Sequence, residues 1–195
     1  MTPLEKFAGV ILALHLPVPL YWLIVHPFIS FWRRHGNAAF WFAGLFSWGV
    51  VGILFYHFRR ELLHSMGAPL WGIVSGFLLV ALDIVLIVRA EAALGMRRLV
   101  GKTELEGSGE LVTSGIFARI RHPRYAGMIC SVFGANLIAG TSALWVVTIS
   151  WFVLVNVFVY FEERELRVRF GSAYDDYARR VPAILPSHLF RRQDN

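Results

Sequence analysis

Charged residues are scarce in this 195-residue sequence, and several long stretches contain none. Asp, Glu, Lys and Arg make up 16% of the chain, whereas hydrophobic residues make up 56%. Ordinary soluble domains contain about 25% charged residues, so this composition disfavours a soluble globular protein. The single cysteine, Cys130, lies in an apolar stretch, and one cysteine excludes an intrachain disulfide.

The uncharged stretches have the lengths of membrane spans. They are residues 7–32, 38–58, 70–88 (apart from Asp83) and 125–161. A bilayer core of about 30 Å needs roughly 20 helical residues, so each of the first three stretches predicts one span. The fourth is long enough for two spans joined by a turn at residues 139–142, Ala-Gly-Thr-Ser. We therefore predict an all-α polytopic membrane protein with about five transmembrane helices.

The first of these stretches has two unusual features. Pro17 and Pro19 remove backbone donors from a helix interior, so we expect the first span to be bent or broken there. Glu5 and Lys6 precede an apolar run without a small-residue cleavage pattern. We therefore expect the run to remain as a span and not to be removed as a signal peptide.

Basic residues are distributed unevenly along the chain. With the N-terminus outside, all but three of the 19 Lys and Arg residues fall on the cytoplasmic side, and the exceptions are Lys6, Arg59 and Arg60. Anionic lipid headgroups then account for the net charge of +6, and no nucleic-acid partner is predicted. Both long polar segments, 89–124 and 162–195, fall on the cytoplasmic side, and the second predicts a helical C-terminal tail.

The two polar segments flank the last two spans, so a tight hairpin between those spans brings the segments together at the membrane surface. Ser131, Ala135 and Ala139 recur every four residues, which predicts close packing of the hairpin helices. We expect one domain overall, with N-terminal transmembrane helices and a connecting loop in residues 1–110. Residues 111–195 form the membrane-embedded region that carries the functional motifs.

A dense group of motif residues precedes the hairpin, and a second group follows it. Residues 111–127 read LVTSGIFARIRHPRYAG, and residues 162–186 contain EEREL, FGSAY and two prolines. In order, in spacing and in the intervening double span, this pattern resembles the isoprenylcysteine carboxyl methyltransferase and phospholipid N-methyltransferase superfamily. The resemblance covers residues 111–186 and implies an integral membrane methyltransferase that uses S-adenosylmethionine.

The resemblance also implies which residues serve the reaction. Catalytic roles fall on Arg121, Glu162 and Glu163. Cofactor-binding roles fall on Gly115, His122, Pro123, Tyr125 and Glu162.

The residue types are compatible with those roles. Gly115 can adopt backbone angles that other residues avoid and lets a loop approach a ligand closely. Pro123 suits the first turn of a helix and favours an extended His122. The planar guanidinium of Arg121 suits a carboxylate of the substrate or of the cofactor, and His122 can accept a proton near neutral pH. The Tyr125 ring and hydroxyl suit an adenosine.

Several other polar residues allow a structural explanation beside a functional one. Arg119 and Arg124 are typical of stop signals at a helix start, and Glu165 fits a surface pair on a helix. Tyr174 and Tyr177 fit interfacial anchors or pocket walls. Asp83 is an acid within a predicted span, either functional or paired with a group such as Arg89 or Asn136. No metal site is predicted, because the scattered histidines lack metal-ligand spacing: His15, His26 and His57.

We predict methyl transfer from S-adenosylmethionine to an oxygen, nitrogen or sulfur atom of a lipophilic or amphiphilic acceptor. The isoprenylcysteine-type carboxylate and the phospholipid-type amine both remain open. The expected partners are a lipid-like substrate and membrane lipid. A non-catalytic membrane scaffold or partner-binding protein with the same fold is the alternative. For a compact multi-pass chain we expect the bacterial inner membrane, with the active site facing the cytoplasm.

Overall fold

The computed structural model describes residues 1–64, 67–94 and 110–184, and every regular element in those ranges is helical. The helices are α1 (Pro3–His15), α2 (Pro17–Val25), α3 (Ile29–Leu63), α4 (Leu70–Leu94), α5 (Pro123–Ala139), α6 (Ala143–Phe170) and α7 (Ser172–Arg180). Short 3₁₀ turns cover His26–Phe28 and Gly115–Ala118. The prediction of an all-α fold is confirmed. Much of the predicted connecting loop, 95–109, and the end of the predicted tail, 185–195, lie outside the described residues.

Four described segments are long and apolar enough to cross a membrane: Pro3–Val25, Trp41–Leu63, Leu70–Leu94 and Ala143–Phe170. Helix α5 is the remaining member of the predicted set of about five. It has 17 residues, most of them buried against other helices, so it lies inside the bundle. The prediction of a polytopic membrane fold is therefore confirmed.

The first span is broken at the first of its two prolines, as predicted. Helix α1 ends at His15, and α2 starts at Pro17, whose missing N–H is harmless in a first turn. The start of α1 carries a capping box, in which Thr2 Oγ1 accepts from the Glu5 N–H at 3.2 Å and Glu5 Oε2 accepts from the Thr2 N–H at 2.8 Å.

The turn between α5 and α6 lies where the sequence predicts it. Gly140 follows the last residue of α5 with φ of 65°, and its N–H donates to Asn136 O at 2.9 Å. A side chain at Gly140 would also lie within 2.9 Å of Ala68, so close approach and backbone angle both require glycine. Thr141 Oγ1 donates to Leu62 O at 2.8 Å and fastens the turn to the end of α3.

The closest helix packing is between α4 and α5, and not between α5 and its hairpin partner α6. A Cβ added at Gly76 would lie 2.6 Å from the carbonyl oxygen of Gly134, and the reverse distance is also 2.6 Å. The sequence predicted close packing of the hairpin helices through Ser131, Ala135 and Ala139, but α5 packs mainly on α4, where Ser131 donates to Asp83. The spacing of four residues identifies a close-packing face, but it does not say which helix packs there.

Asp83 has partners different from those considered in the sequence. It pairs with His15 of α1 and Ser131 of α5, and not with Arg89 or Asn136. The Asn136 side chain instead donates to Thr148 Oγ1 of α6 at 3.4 Å. Asp83 thus joins three helices inside the bundle.

Candidate functional site

The backbone around the first motif is held by the chain segment that follows α7. The Arg121 N–H donates to Pro182 O, and the His122 N–H donates to Ala183 O, each at 2.9 Å. Pro123 then begins α5, where a proline is favoured because no N–H is required. The two motif groups, separated along the chain by the α5–α6 hairpin, therefore meet at one end of the bundle.

Arg121 is the centre of a polar network. Its Nε and Nη2 donate to Oε1 of Glu163 at 3.1 and 2.5 Å, and its Nη1 donates to the carbonyls of Ala178 and Val181. The Arg121 and Glu163 side chains are only 11% and 12% exposed, so the pair is largely withdrawn from water. Arg121 thus connects α6, the end of α7 and the segment after it. It fixes the geometry of the site in addition to placing a positive charge there.

His122 lies between the two glutamates of α6. Its Nε2 is 3.2 Å from Oε1 of Glu163, and its Nδ1 is 3.8 Å from Oε2 of Glu162. The Oε2 atom of Glu162 is buried and has no hydrogen-bond partner among the described residues. The His122 ring stacks on Tyr125, with centroids 5.6 Å apart, and Tyr125 meets Phe158 edge-on at 4.7 Å.

Helix α7 supplies two buried tyrosines to the site. The Tyr177 hydroxyl donates to Phe117 O at 2.7 Å, which fixes the 3₁₀ turn Gly115–Ala118 against α7. Burial raises the pKa of Tyr177 to about 12, against the opposing positive charge of Arg121. Burial also raises the pKa of Tyr174, and the negative charge of Glu163 adds to that effect. Both side chains therefore act as neutral phenols at physiological pH.

A cavity opens beside this network, between the end of α4, the first motif, α6 and α7. Its charged and polar walls are Glu110, Arg121, His122, Glu162, Glu165 and Arg169. Aromatic and aliphatic walls include Leu111, Phe117, Leu166, Phe170, Tyr174 and Tyr177. The cavity therefore combines ring faces with charges of both signs.

The structure brings most of the predicted site residues together. Arg121, His122 and Glu162 line the cavity, and Glu163 lies behind them, bonded to both Arg121 and His122. The other predicted residues support the wall in the part of the chain that the structure describes, without belonging to the cavity lining: Gly115, Pro123 and Tyr125. Gly115 has φ of 62°, the left-handed angle that favours glycine.

Some cavity residues were not selected from the sequence. Glu165 was interpreted as a helix-surface residue, but it lines the cavity, as do Glu110 and Arg169. The two tyrosines that allowed two explanations are pocket walls. The sequence feature that indicates this role is their spacing in the second motif. They lie three residues apart on α7, so both are on one face of the helix.

Comparison with known proteins gives the family. The sequence model of the phospholipid methyltransferase family matches residues 71–173, which includes α5, α6 and all of α4 except its first residue. No solved structure matches the chain.

Three curated proteins are similar over part of the chain. One is methanethiol S-methyltransferase 2 of Bradyrhizobium diazoefficiens, 31% identical over 47% of this chain and 34% of that protein. Another is the nickel-cobalt-cadmium resistance protein NccN of Alcaligenes xylosoxydans xylosoxydans, 34% identical over 44% of this chain and 41% of that protein. A third is protein-S-isoprenylcysteine O-methyltransferase of Schizosaccharomyces pombe, 33% identical over 39% of this chain and 33% of that protein.

The match spans less than half the length of each of these relatives. The family model, in contrast, covers more than half of this chain and includes both glutamates and the histidine of the polar network. The chain belongs to the phospholipid methyltransferase family, a family of membrane methyltransferases.

Proposed function

We propose that this protein transfers a methyl group from S-adenosylmethionine to a lipophilic or amphiphilic acceptor. The observation that carries the proposal is the network of Arg121, His122, Glu162 and Glu163, assembled from two motif groups beside a cavity. This arrangement lies toward the C-terminal end of α6, an apolar helix long enough to span a membrane.

The cavity residues fit the cofactor chemically. S-adenosylmethionine combines an aromatic base, ribose hydroxyls, an ammonium, a carboxylate and an activated methyl group. Phe117 and Phe170 are aromatic residues of the cavity lining that suit the base, and Glu162 has a buried oxygen without a hydrogen-bond partner in the described ranges. That oxygen suits an N–H or O–H donor of the cofactor or of the acceptor. Arg169 offers a positive charge for the carboxylate.

The protein's contribution to the reaction is orientation in a water-poor site. Arg121 and Glu163 hold each other and the surrounding backbone, and Glu163 also contacts His122, so the His122 ring is held in place before a ligand enters. Alignment of donor and acceptor can lower a bimolecular barrier by about 7–11 kcal/mol in favourable cases. Tyr125 and Phe158 support the ring from behind and limit its rotation.

Cofactor binding tests this proposal directly. The purified full chain in detergent is titrated calorimetrically with S-adenosylmethionine and with S-adenosylhomocysteine. We expect saturable one-to-one binding that Glu162→Ala weakens at least tenfold. Glu61→Gln, an exposed position near the end of α3, serves as the matched control and should bind normally. Failure of the wild-type protein to bind either ligand would contradict the proposal.

A non-catalytic role is the second candidate. One similar protein is named for metal resistance and not for methyl transfer, so the fold alone does not assign catalysis. The two candidates differ in product formation. Incubation with radiolabelled cofactor and a total membrane extract should label a lipid-soluble product, whereas a scaffold that keeps only the fold would label none.

We also propose that the site faces the cytoplasm of a bacterial inner membrane. The excess of Lys and Arg on that side of the predicted topology supports this orientation. A C-terminal reporter that is active only in the cytoplasm tests it, with a periplasmic reporter fused at the same position as the reciprocal control. Activity of the periplasmic reporter alone would show that the C-terminus lies on the opposite side and would contradict the proposed orientation.

A further inference from the structure

Arg121 has little remaining capacity to bind a substrate carboxylate. Its Nε and Nη2 both donate to Glu163, and its Nη1 donates to two carbonyl oxygens. A guanidinium carries five N–H donors, so these four hydrogen bonds leave one. The Nε and Nη2 donors, a pair with which arginine binds carboxylates, are already occupied by Glu163.

His122 has one nitrogen committed and one available. Glu163 accepts from Nε2, because a carboxylate that already receives two hydrogen bonds from Arg121 is an acceptor and not a donor. In the neutral ring, the Nδ1 atom then carries the lone pair. This is the logic by which a carboxylate fixes a histidine tautomer in other enzymes.

The available nitrogen faces another acceptor. Nδ1 of His122 lies 3.8 Å from Oε2 of Glu162, a separation too long for a hydrogen bond. His122 is 5% exposed, and Glu162 Oε2 has no partner in the parts of the chain that the structure describes. With the ring neutral in this tautomer, Nδ1 of His122 and Oε2 of Glu162 are two acceptors that face each other with no donor between them. The missing component is a hydrogen-bond donor, and a ligand can bring it.

We propose that the methyl acceptor is a nucleophile that carries a removable proton, an amine or a thiol, and that His122 with Glu162 receives this proton. The inference rests on the proposed function and deepens it. The acceptor's lone pair forms the bond to the methyl carbon, and the electron pair of the breaking C–S bond stays on the sulfonium sulfur. The proton moves from nitrogen or sulfur to Nδ1 of His122, giving an imidazolium held between two carboxylates.

Glu163 is then a positioning residue, which orients His122 and stabilises its protonated form. A carboxylate acceptor fits this site less well for two reasons. It is already ionised and needs no base, and it would approach two glutamates with Arg121 occupied. The geometry thus separates acceptor classes that share one cofactor.

Acceptors of equal chain length test the inference. The purified full chain is incubated with labelled S-adenosylmethionine and dodecanethiol, dodecylamine or dodecanoate, with N-acetyl-S-farnesylcysteine as a carboxylate in a larger amphiphile. We expect methylation of the thiol or the amine at least 100-fold faster than of either carboxylate. Methyl ester formation at a comparable rate would overturn the inference and leave methyl transfer intact. Absence of cofactor binding would instead contradict the proposed function itself.

A binding measurement decides the case in which none of these compounds is methylated. With S-adenosylhomocysteine present, dodecylamine and dodecanoate are titrated separately into the protein. We expect the amine to bind at least tenfold more tightly and Glu162→Gln to abolish the difference. Tighter binding of dodecanoate would overturn the inference.

The pH dependence of the rate distinguishes a role of Glu162 and Glu163 in proton transfer from a purely structural role. With S-adenosylmethionine saturating for each variant, we expect Glu162→Gln and Glu163→Gln to lower the rate with the preferred acceptor by about 10²- to 10⁴-fold, the usual contribution of general base catalysis. Loss of the Glu163 charge should also change the pH dependence of the rate, because His122 then keeps only one of the two carboxylates beside it. Glu61→Gln is the control. Slower turnover with an unchanged profile in both variants would overturn the proton-accepting role.

Discussion

The Nε2 atom of His15 lies 3.3 Å from Oδ2 of Asp83, inside the helical bundle. The same oxygen accepts from Ser131 Oγ at 2.5 Å, so α1, α4 and α5 converge on one carboxylate. A Cβ at Gly127 would collide with Asp83, which explains why α5 has no side chain at that point. Burial of a carboxylate is unfavourable unless it is paired, and these contacts pair Oδ2, whereas Oδ1 is buried without a hydrogen-bond partner among the described residues.

We expect Asp83→Ala to destabilise the bundle by about 2–4 kcal/mol, because it leaves Ser131 buried without its partner and removes the ion-pair contact of the partly buried His15. Asp83→Asn should cost less, since the amide can still accept from Ser131. Thermal unfolding in detergent measures both.

A matched pair of serines tests whether the interhelical bond matters. Ser131→Ala removes a hydrogen bond between helices, whereas Ser75→Ala removes one to the serine's own helix at Trp71 O. We expect destabilisation only from the first substitution. Equal melting temperatures for the two variants would show that the Asp83 contacts contribute little to stability.

The Arg121–Glu163 pair should show strong energetic coupling. In a double-mutant cycle with Arg121→Ala and Glu163→Gln, we expect a coupling energy of about 2 kcal/mol or more, because both partners are buried and share a network. The exposed Arg179–Asp176 pair is the control, with side chains 73% and 56% exposed. Its coupling should stay below about 1 kcal/mol. Similar values for both pairs would contradict a structural role for Arg121.

The sequence predicted the helical fold and the meeting of the two motif groups because both are encoded locally. Uncharged stretches of span length set the helices, and a turn at Gly140 makes the α5–α6 hairpin that returns Glu163 to Arg121. Two proline positions located the break before α2. Each of these features depends on neighbouring residues or on a single short connection.

The tertiary partners could not be predicted in the same way. Helix α5 packs mainly on α4. Asp83 pairs with His15, which lies on a helix far away in sequence. Both choices depend on how the helices are arranged around each other, and apolar helices in lipid offer many arrangements of similar composition. The hydrogen bonds from Arg121 to two backbone carbonyls could not be predicted from the sequence either, because every residue has a backbone carbonyl.

The buried tyrosines predict a specific response to alkaline pH. Unfolded tyrosine has a pKa of about 10, and burial raises the pKa of Tyr177 to about 12. The folded state therefore holds this proton more tightly, so the stabilisation is complete below about pH 10 and is lost as the pH rises through about 12. Tyrosinate absorbance should show late titration of this group. Tyr177→Phe should reduce the late step to the contribution of Tyr174, whose pKa is also raised by burial, and a wild-type profile complete by about pH 11 would contradict the burial effect.

The contact between Gly76 and Gly134 gives the sharpest test of the helix arrangement. A Cβ at either position would lie 2.6 Å from a carbonyl oxygen of the opposite helix, and backbone can give way only if α4 and α5 separate. We expect Gly76→Ala and Gly134→Ala each to cost about 1–3 kcal/mol, measured as a lower melting temperature in detergent. Gly52→Ala in α3 is the matched control, because no heavy atom lies within 4 Å of its added Cβ. It should leave stability unchanged or raise it slightly, since alanine favours helix. Unchanged stability in Gly76→Ala and Gly134→Ala would mean that α4 and α5 do not approach each other at these glycines.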